Sequence, residues 1–227
     1  MSTIQKDFDR LASLDSDGWT HNNHYHEFLL RHVPDNCGNA LEVGCGTGAF
    51  ARLLAEHSQH VIGLDLSPEM IRVAKSWSQQ YSNLEFQLAD VVSWDFPRAH
   101  FDYIAAIATL HHVQVSDVLK KMKGSLKPGG VVAVLDLFEE RNLPTAARLF
   151  DMFLSVVSMS MSASLRLIHN GRLNPPREVQ AAWEAHGQHD SYPTLKEVRS
   201  LCEEILPGAQ VRKHLLWRYS IIWKKAY

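Results

Sequence analysis

The chain has 227 residues, 45% of them apolar, and its 23 Lys and Arg are nearly balanced by 25 Asp and Glu for a formal net charge of −2. That length and composition describe one soluble domain with enough apolar mass for a sizeable core, and two independent domains would be cramped. Without long basic runs there is no electrostatic footprint for nucleic acid or an anionic membrane, so a small and near-neutral substrate is the expected partner.

From its start, "MSTIQKDFDRLASLDSD" is charged throughout and lacks the apolar core of a signal peptide. Cys37, Cys45 and Cys202 are odd in number and show no CxxC spacing, which argues against a disulfide framework or zinc knuckle and for a cytoplasmic location. "HNNHYH", residues 21–26, then crowds three histidines around Tyr25. On a helix over 20–32, about 100° per residue puts Tyr25, Phe28, Leu29 and His32 on one face and His24 and His26 on opposite flanks. His21 and His24 lack a third donor at matching spacing, so no metal site is expected.

Between about 40 and 138, short β-branched runs alternate with helical patterns, as in βαβ units around a parallel sheet. The strands are "ALEV", "HVIGLDL", "LEFQLAD", "FDYIAAIA" and "VVAVLDLF". The helices are "AFARLLAEHS", "SPEMIRVAKSWSQQ" with Ser67 as N-cap and Pro68 at the first helical position, and "SDVLKKMKGSL". "KPGG" reads as the turn into the fifth strand. After Leu143 a long Met- and Ser-rich apolar helix is expected to end near Gly171, followed by a polar stretch with a short helix. Its stretch "LFDMFLSVVSMSMSASLRLI" reads as too short and too polar to span a bilayer. "TLKEVRSLCEEIL" opens with a capping box of Thr194 and Glu197, and "AQVRKHLLWR" and "YSIIWKKA" read as a closing strand hairpin. The sum is an α/β, doubly wound sheet of seven strands, the first five parallel.

"ALEVGCGTGAF" runs a strand into three close glycines and then a helix, which brings backbone amides to a ligand. Gly44, Gly46 and Ala49 formally fit a dinucleotide fingerprint, while Gly44, Gly46 and Gly48 fit a tighter GxGxG loop. Glu42 favours the second reading, because a carboxylate there repels a pyrophosphate but suits a ligand with a sulfonium and an ammonium. Acids recur at the carboxyl ends of successive strands, where ligands bind in this architecture. Asp65 is placed for both ribose hydroxyls and Asp90 for an adenine amino group.

These residues resemble the class I S-adenosylmethionine-dependent methyltransferases, in their small-molecule, methyltransferase type 11/12-like branch, over roughly 37–138. "LEVGCGTG", "GLDLSPEMI", "LAD" and "LKPGG" look like four ordered family motifs at natural spacing. The resemblance implies a Rossmann-like fold and S-adenosyl-L-methionine as cofactor, with Glu42, Gly44, Gly46 and Gly48 against its methionyl part. It further implies ribose on Asp65, adenine packed on Leu66 and Met70, and the adenine edge read by Asp90 and the Val91 amide. Within one domain over 1–227, it implies N-terminal lid helices over 1–36, a cofactor core over 37–138, an acceptor-side helical insertion over 141–190, and a last helix with the hairpin over 194–227. Tyr25 is then the lid residue for the methionyl carboxylate, with His21 and His26 beside it.

"ATLHHV" leaves the fourth strand with His111 and His112 facing the acceptor side, and Asp136 of "VLDLF" belongs on the neighbouring strand. Methyl transfer is mainly alignment, and a base is needed only if the acceptor must lose a proton. His111, His112 and Asp136 are therefore the candidate catalytic residues, positioning or deprotonating a small-molecule acceptor, a class that includes secondary metabolites. Phe150, Met152, Phe153, Met159 and Met161 are expected to wall the acceptor pocket or a homodimer contact, and Arg148, Arg166, Arg172 and Arg177 to be solvated. Two alternatives stand beside this reading: a non-catalytic cofactor-binding partner subunit, and an NAD-dependent oxidoreductase.

Overall fold

The computed structural model describes residues 3–14, 18–141, 144–187 and 190–227. Positions 1–2 and 15–17 of the expected lid and 142–143 and 188–189 of the expected insertion therefore lie outside the described residues. Seven strands form one sheet: β1 (Cys37–Val43), β2 (Ser58–Asp65), β3 (Leu84–Leu88), β4 (Phe101–Ile107), β5 (Leu126–Leu137), β6 (Gln210–Lys213) and β7 (Arg218–Lys224), in the order β3-β2-β1-β4-β5-β7-β6. β1 to β5 pair in parallel, whereas β7 runs antiparallel between β5 and β6. The doubly wound, Rossmann-like sheet expected from the sequence is the fold of the chain.

Period-two alternation divides the core between the two sheet faces. Ala40, Tyr103, Ala105, Ala133 and Leu135 pack against Leu29 of α2 (His26–Leu30), Phe50 and Leu54 of α3 (Ala49–Ala55) and Ile71 and Ala74 of α4 (Pro68–Trp77). Leu41, Val43, Ile104, Ala106, Val132 and Val134 pack against Val118, Leu119 and Met122 of α5 (Val115–Ser125) and Val198, Cys202 and Ile205 of α8 (Leu195–Ile205). Both predicted caps form. Ser67 Oγ accepts from Met70 N at 3.0 Å, and Thr194 and Glu197 close a reciprocal capping box.

"KPGG" is not a turn ahead of β5 but a bulge inside it. Phe101 pairs with Leu126 and Tyr103 with Val131, so the extra residues on β5 loop out between consecutive pairs. The remaining described helices lie over the carboxyl ends of the strands or beside them: α1 (Thr3–Leu14), α6 (Thr145–Asn170) and α7 (Arg177–Gly187). The helix expected over 20–32 is shorter than predicted, a 3₁₀ turn at Asn23–Tyr25 followed by α2.

α6 has the expected bounds, but its 26 residues are long and apolar enough by length and composition to cross a membrane, where its central stretch was expected to be too short and too polar. Here it docks on the hairpin. Ser158 Oγ accepts from Leu216 N at 3.1 Å, and Asp151 pairs with Lys213 at 2.7 Å. The hairpin tip carries Leu216 and Trp217 at φ +56 and +55, a strained choice for non-glycine residues that the contacts of Leu216 hold in place.

Candidate active site

A cavity of about 260 Å3 opens at the carboxyl ends of β1, β2 and β4. Its floor is the loop after β1, its flank is Asp65, Leu66 and Met70, and its far wall is Ala89, Asp90 and Val91. Asp65 organises this end of the sheet, accepting from Gly46 N at 2.8 Å and Ser67 N at 2.9 Å. Asp90 Oδ1 accepts from Val92 N at 2.8 Å and so braces the next turn. Each carboxylate keeps further lone pairs for a ligand hydroxyl or amino group.

Glu42 places an acid in the wall of this cavity. It is fully buried, and burial together with the neighbouring Asp65 raises its carboxyl pKa well above the usual range. Its Oε2 has no hydrogen-bond partner among the described residues. Such an orphaned acceptor in a cavity wall needs a donor, and a ligand ammonium supplies both the hydrogen bond and the compensating charge. S-adenosylmethionine carries that group, so these residues fit it.

The glycines divide their work. A Cβ on Gly46 would meet only Met70 Sδ at 4.0 Å, while its φ of +52 is one that L residues seldom take. Gly48 also has a positive φ, +79, but a Cβ there would strike Phe86 Cζ at 2.6 Å. Gly48 is absent from the cavity wall, so the expectation that it touches cofactor is corrected: it seats α3 closely on the sheet.

A second cavity, of about 420 Å3, shares Phe8, Thr20, Asn22, Met70, Ala108 and His112 with the first. Ala108, at φ +49, turns the chain sharply out of β4 and delivers Leu110–His112 as a single 3₁₀ turn. His111 lines the second cavity, and its Nδ1 lies 2.6 Å from Oδ1 of the buried Asp136. Asp136 also accepts from His111 N at 3.1 Å and Leu137 N at 2.8 Å, which fixes the carboxylate and through it the imidazole tautomer. His112 lines both cavities, and burial, with His111 alongside, lowers its pKa.

Other groups around the second cavity carried no local sequence signal. Asp190 lies 3.4 Å from His112 Nδ1 and 3.9 Å from His111 Nε2. Tyr192 Oη donates to Asp190 at 2.9 Å, and burial with Asp190 nearby raises its pKa. His186 of α7 reaches Asp190 at 3.7 Å and Asp7 of α1 at 3.4 Å. A hint of α1 was visible, since Ile4, Phe8 and Leu11 recur at helical spacing.

Several expectations are corrected. Tyr25 lines neither cavity; its hydroxyl donates to Leu215 O at 2.8 Å and supports the hairpin tip. Asn22, Asn23 and His26 take its place over the first cavity. Burial pulls the pKa of His26 down to about 4. His21 lines the second cavity and lies 2.7 Å from Ser162 Oγ. Its pKa also falls to about 4, through burial first and then Arg218. Phe150, Met152, Phe153 and Met159 are more than half exposed, and none of the five predicted apolar wall residues lines the cavity. Trp19, Trp183, Leu11 and Val179 do that, and Arg166 and Arg172 line it rather than being merely solvated.

A family model described as a methyltransferase domain matches residues 40–130. An uncharacterized methyltransferase of Mycobacterium tuberculosis is 28% identical over 212 residues, 91% of this chain and 96% of that protein. A demethylmenaquinone methyltransferase of Lysinibacillus sphaericus is 27% identical over 180 residues, 77% of this chain and 72% of that protein. Among solved structures, the N-methyltransferase NodS of Bradyrhizobium japonicum, in complex with S-adenosyl-L-homocysteine, shares the fold with a TM-score of 0.63 at 16% identity, covering 100% of both chains.

Proposed function

We propose that this chain, whose residues 40–130 match a methyltransferase domain, is a class I S-adenosylmethionine-dependent methyltransferase that methylates a small molecule held in the second cavity, with an ionisable hydroxyl presented to His111 and His112. S-adenosylmethionine supplies an electrophilic methyl carbon on a sulfonium. The residues of the chain do the rest by binding, alignment and management of one proton.

The observation that carries this reading is the 2.6 Å contact between Asp136 and His111 Nδ1 at the wall of a cavity that adjoins the cofactor cavity. A buried carboxylate holding one imidazole nitrogen leaves the other available to an acceptor and favours the state in which the acceptor has given up a proton. On the cofactor side, Glu42 would take the ammonium, Asp65 the ribose, Leu66 and Met70 the adenine faces, and Asp90 with Val91 its edge. His26 would close the methionyl end. The relative named for demethylmenaquinone supports an aromatic acceptor related to a quinone, whose reduced form bears ionisable hydroxyls and whose ring the Trp19 and Trp183 walls suit.

The near-neutral charge supports a small acceptor rather than nucleic acid. Cys37, Cys45 and Cys202 are free and buried, which supports the reducing cytoplasm. The exposed Phe150, Phe153 and Ile168 on α6 support a homodimer.

The test is release of S-adenosylhomocysteine with a library of phenols and alcohols beside their O-methylated counterparts. Turnover with free hydroxyls alone is expected, and His111→Ala should lower it without changing cofactor affinity. Unchanged turnover in both His111→Ala and His112→Ala would remove the reading.

A further inference from the structure

The second cavity holds more imidazole than a single proton transfer can use. Three histidines surround one carboxylate: His111 Nε2, His112 Nδ1 and His186 Nε2 lie 3.9, 3.4 and 3.7 Å from the oxygens of Asp190. Donor atoms of His111, His112 and Asp190 all lie within 4.8 Å of one another. A charge-assisted hydrogen bond is shorter, about 2.7–2.9 Å, so these gaps are not those of an ion-paired cluster drawn together. They leave room for a shared cation: bonds of about 2.0–2.2 Å set adjacent tetrahedral donors roughly 3.4 Å apart, the separation of His112 Nδ1 from Asp190.

The groups behind these donors point the same way. Asp136 accepts from His111 Nδ1 at 2.6 Å, which directs the lone pair of Nε2 toward Asp190. Tyr192 donates to Asp190 Oδ2 at 2.9 Å. Carboxylate behind imidazole and hydroxyl behind carboxylate are how metal ligands are oriented and made more basic. Asp7 stands behind His186 in the same manner, at 3.4 Å.

We propose that His111, His112 and Asp190 bind one divalent transition-metal ion of the Zn2+ or Fe2+ class, with His186 within reach as a fourth donor and an open position facing the acceptor. Two imidazoles and one carboxylate with free positions suit such an ion. The inference rests on the reading that this cavity receives the acceptor hydroxyl, and it changes how His111 and His112 serve it: their nitrogens hold the ion and act on the hydroxyl through it instead of taking its proton directly. Coordination lowers the pKa of that hydroxyl. Its proton passes to solvent, and the oxygen lone pair forms the new bond to the methyl carbon as the carbon–sulfur bond breaks and its electron pair returns to sulfur.

The test needs neither acceptor nor activity. Chelator-treated full-length protein is titrated with Zn2+ by calorimetry and with Co2+ by visible absorption. One equivalent with ligand-field bands is expected in the unaltered protein. His112→Ala and Asp190→Asn should each weaken binding on the order of 100-fold, and Asp136→Asn about 10–100-fold. No saturable heat and no Co2+ bands in the unaltered protein would overturn the proposal, as would affinity unchanged by both ligand substitutions. An acceptor screen without a hydroxyl substrate would instead overturn the reading of the cavity, and the metal titration would still decide the site.

Discussion

Asp9 of α1 accepts a hydrogen bond from Ser67 Oγ at 2.5 Å, while Ser67 Oγ itself accepts from Met70 N. The N-terminal helix is thus latched to the cap of the helix whose first turn lines the cofactor cavity. Asp9→Ala should raise the rate of cofactor dissociation several-fold and cost about 1 kcal/mol of stability, the usual scale of one such hydrogen bond. Stopped-flow release of S-adenosylhomocysteine checks it; an unchanged off-rate would mean that α1 does not gate the cavity.

Glu42 gives a proton-linked prediction. Its folded pKa is raised, so its contribution favours the free protein at low pH and is lost as pH rises through that raised value. A ligand ammonium favours the ionised carboxylate, so cofactor binding should release protons over that range and tighten as pH rises. Calorimetry in two buffers of different ionisation heat measures the release, and Glu42→Gln should abolish it with at least a tenfold loss of affinity. Equal heats in both buffers would sink the assignment.

His26 acts in the opposite direction. Its pKa falls from 6.5 to about 4 through burial, so its stabilising contribution is complete above pH 6.5 and is lost as pH drops through 4. The difference corresponds to roughly 3 kcal/mol. Urea melts between pH 7 and 4 should show this loss, and His26→Gln should flatten the profile. A profile identical in the variant would place the acid sensitivity elsewhere.

The two neighbouring glycines should fail differently when replaced. Gly48→Ala drives a methyl group into Phe86 and should cost more than about 2 kcal/mol in stability through overpacking and an unfavourable φ. Gly46→Ala meets only Met70 Sδ, in ordinary van der Waals contact at 4.0 Å, and should cost only the backbone strain of about 1–2 kcal/mol, yet reduce cofactor binding because Gly46 lines the cavity. Thermal melts and calorimetry on both variants separate the effects; comparable melting points would refute the division.

The cofactor side was legible in part because its determinants are local: a strand, a glycine loop and strand-end acids lie close together in sequence and line one cavity, whereas Gly48 and Tyr25 do not line it. Asp136 was expected near the histidine pair without a choice between the two, since adjacent parallel strands bring their carboxyl ends together, and it meets His111. The acceptor side was not legible in this way. Tyr25, which the resemblance implied as a lid over the cofactor, ended against Leu215, and the helix expected over 20–32 gives way to a 3₁₀ turn and one short helix. The apolar face of α6 turned outward, and Asp190 and His186 reach the site by tertiary placement of α7 and its following loop, which periodicity cannot reveal.

Thr20 and Asn22 stand over both cavities, and the same segment is tied down by Trp19 to Asn170 and by Arg218 to Asn22. One short span therefore roofs two compartments. The two compartments are therefore not independently adjustable at this point: a side chain exchanged at Thr20 or Asn22 alters the wall of both at once.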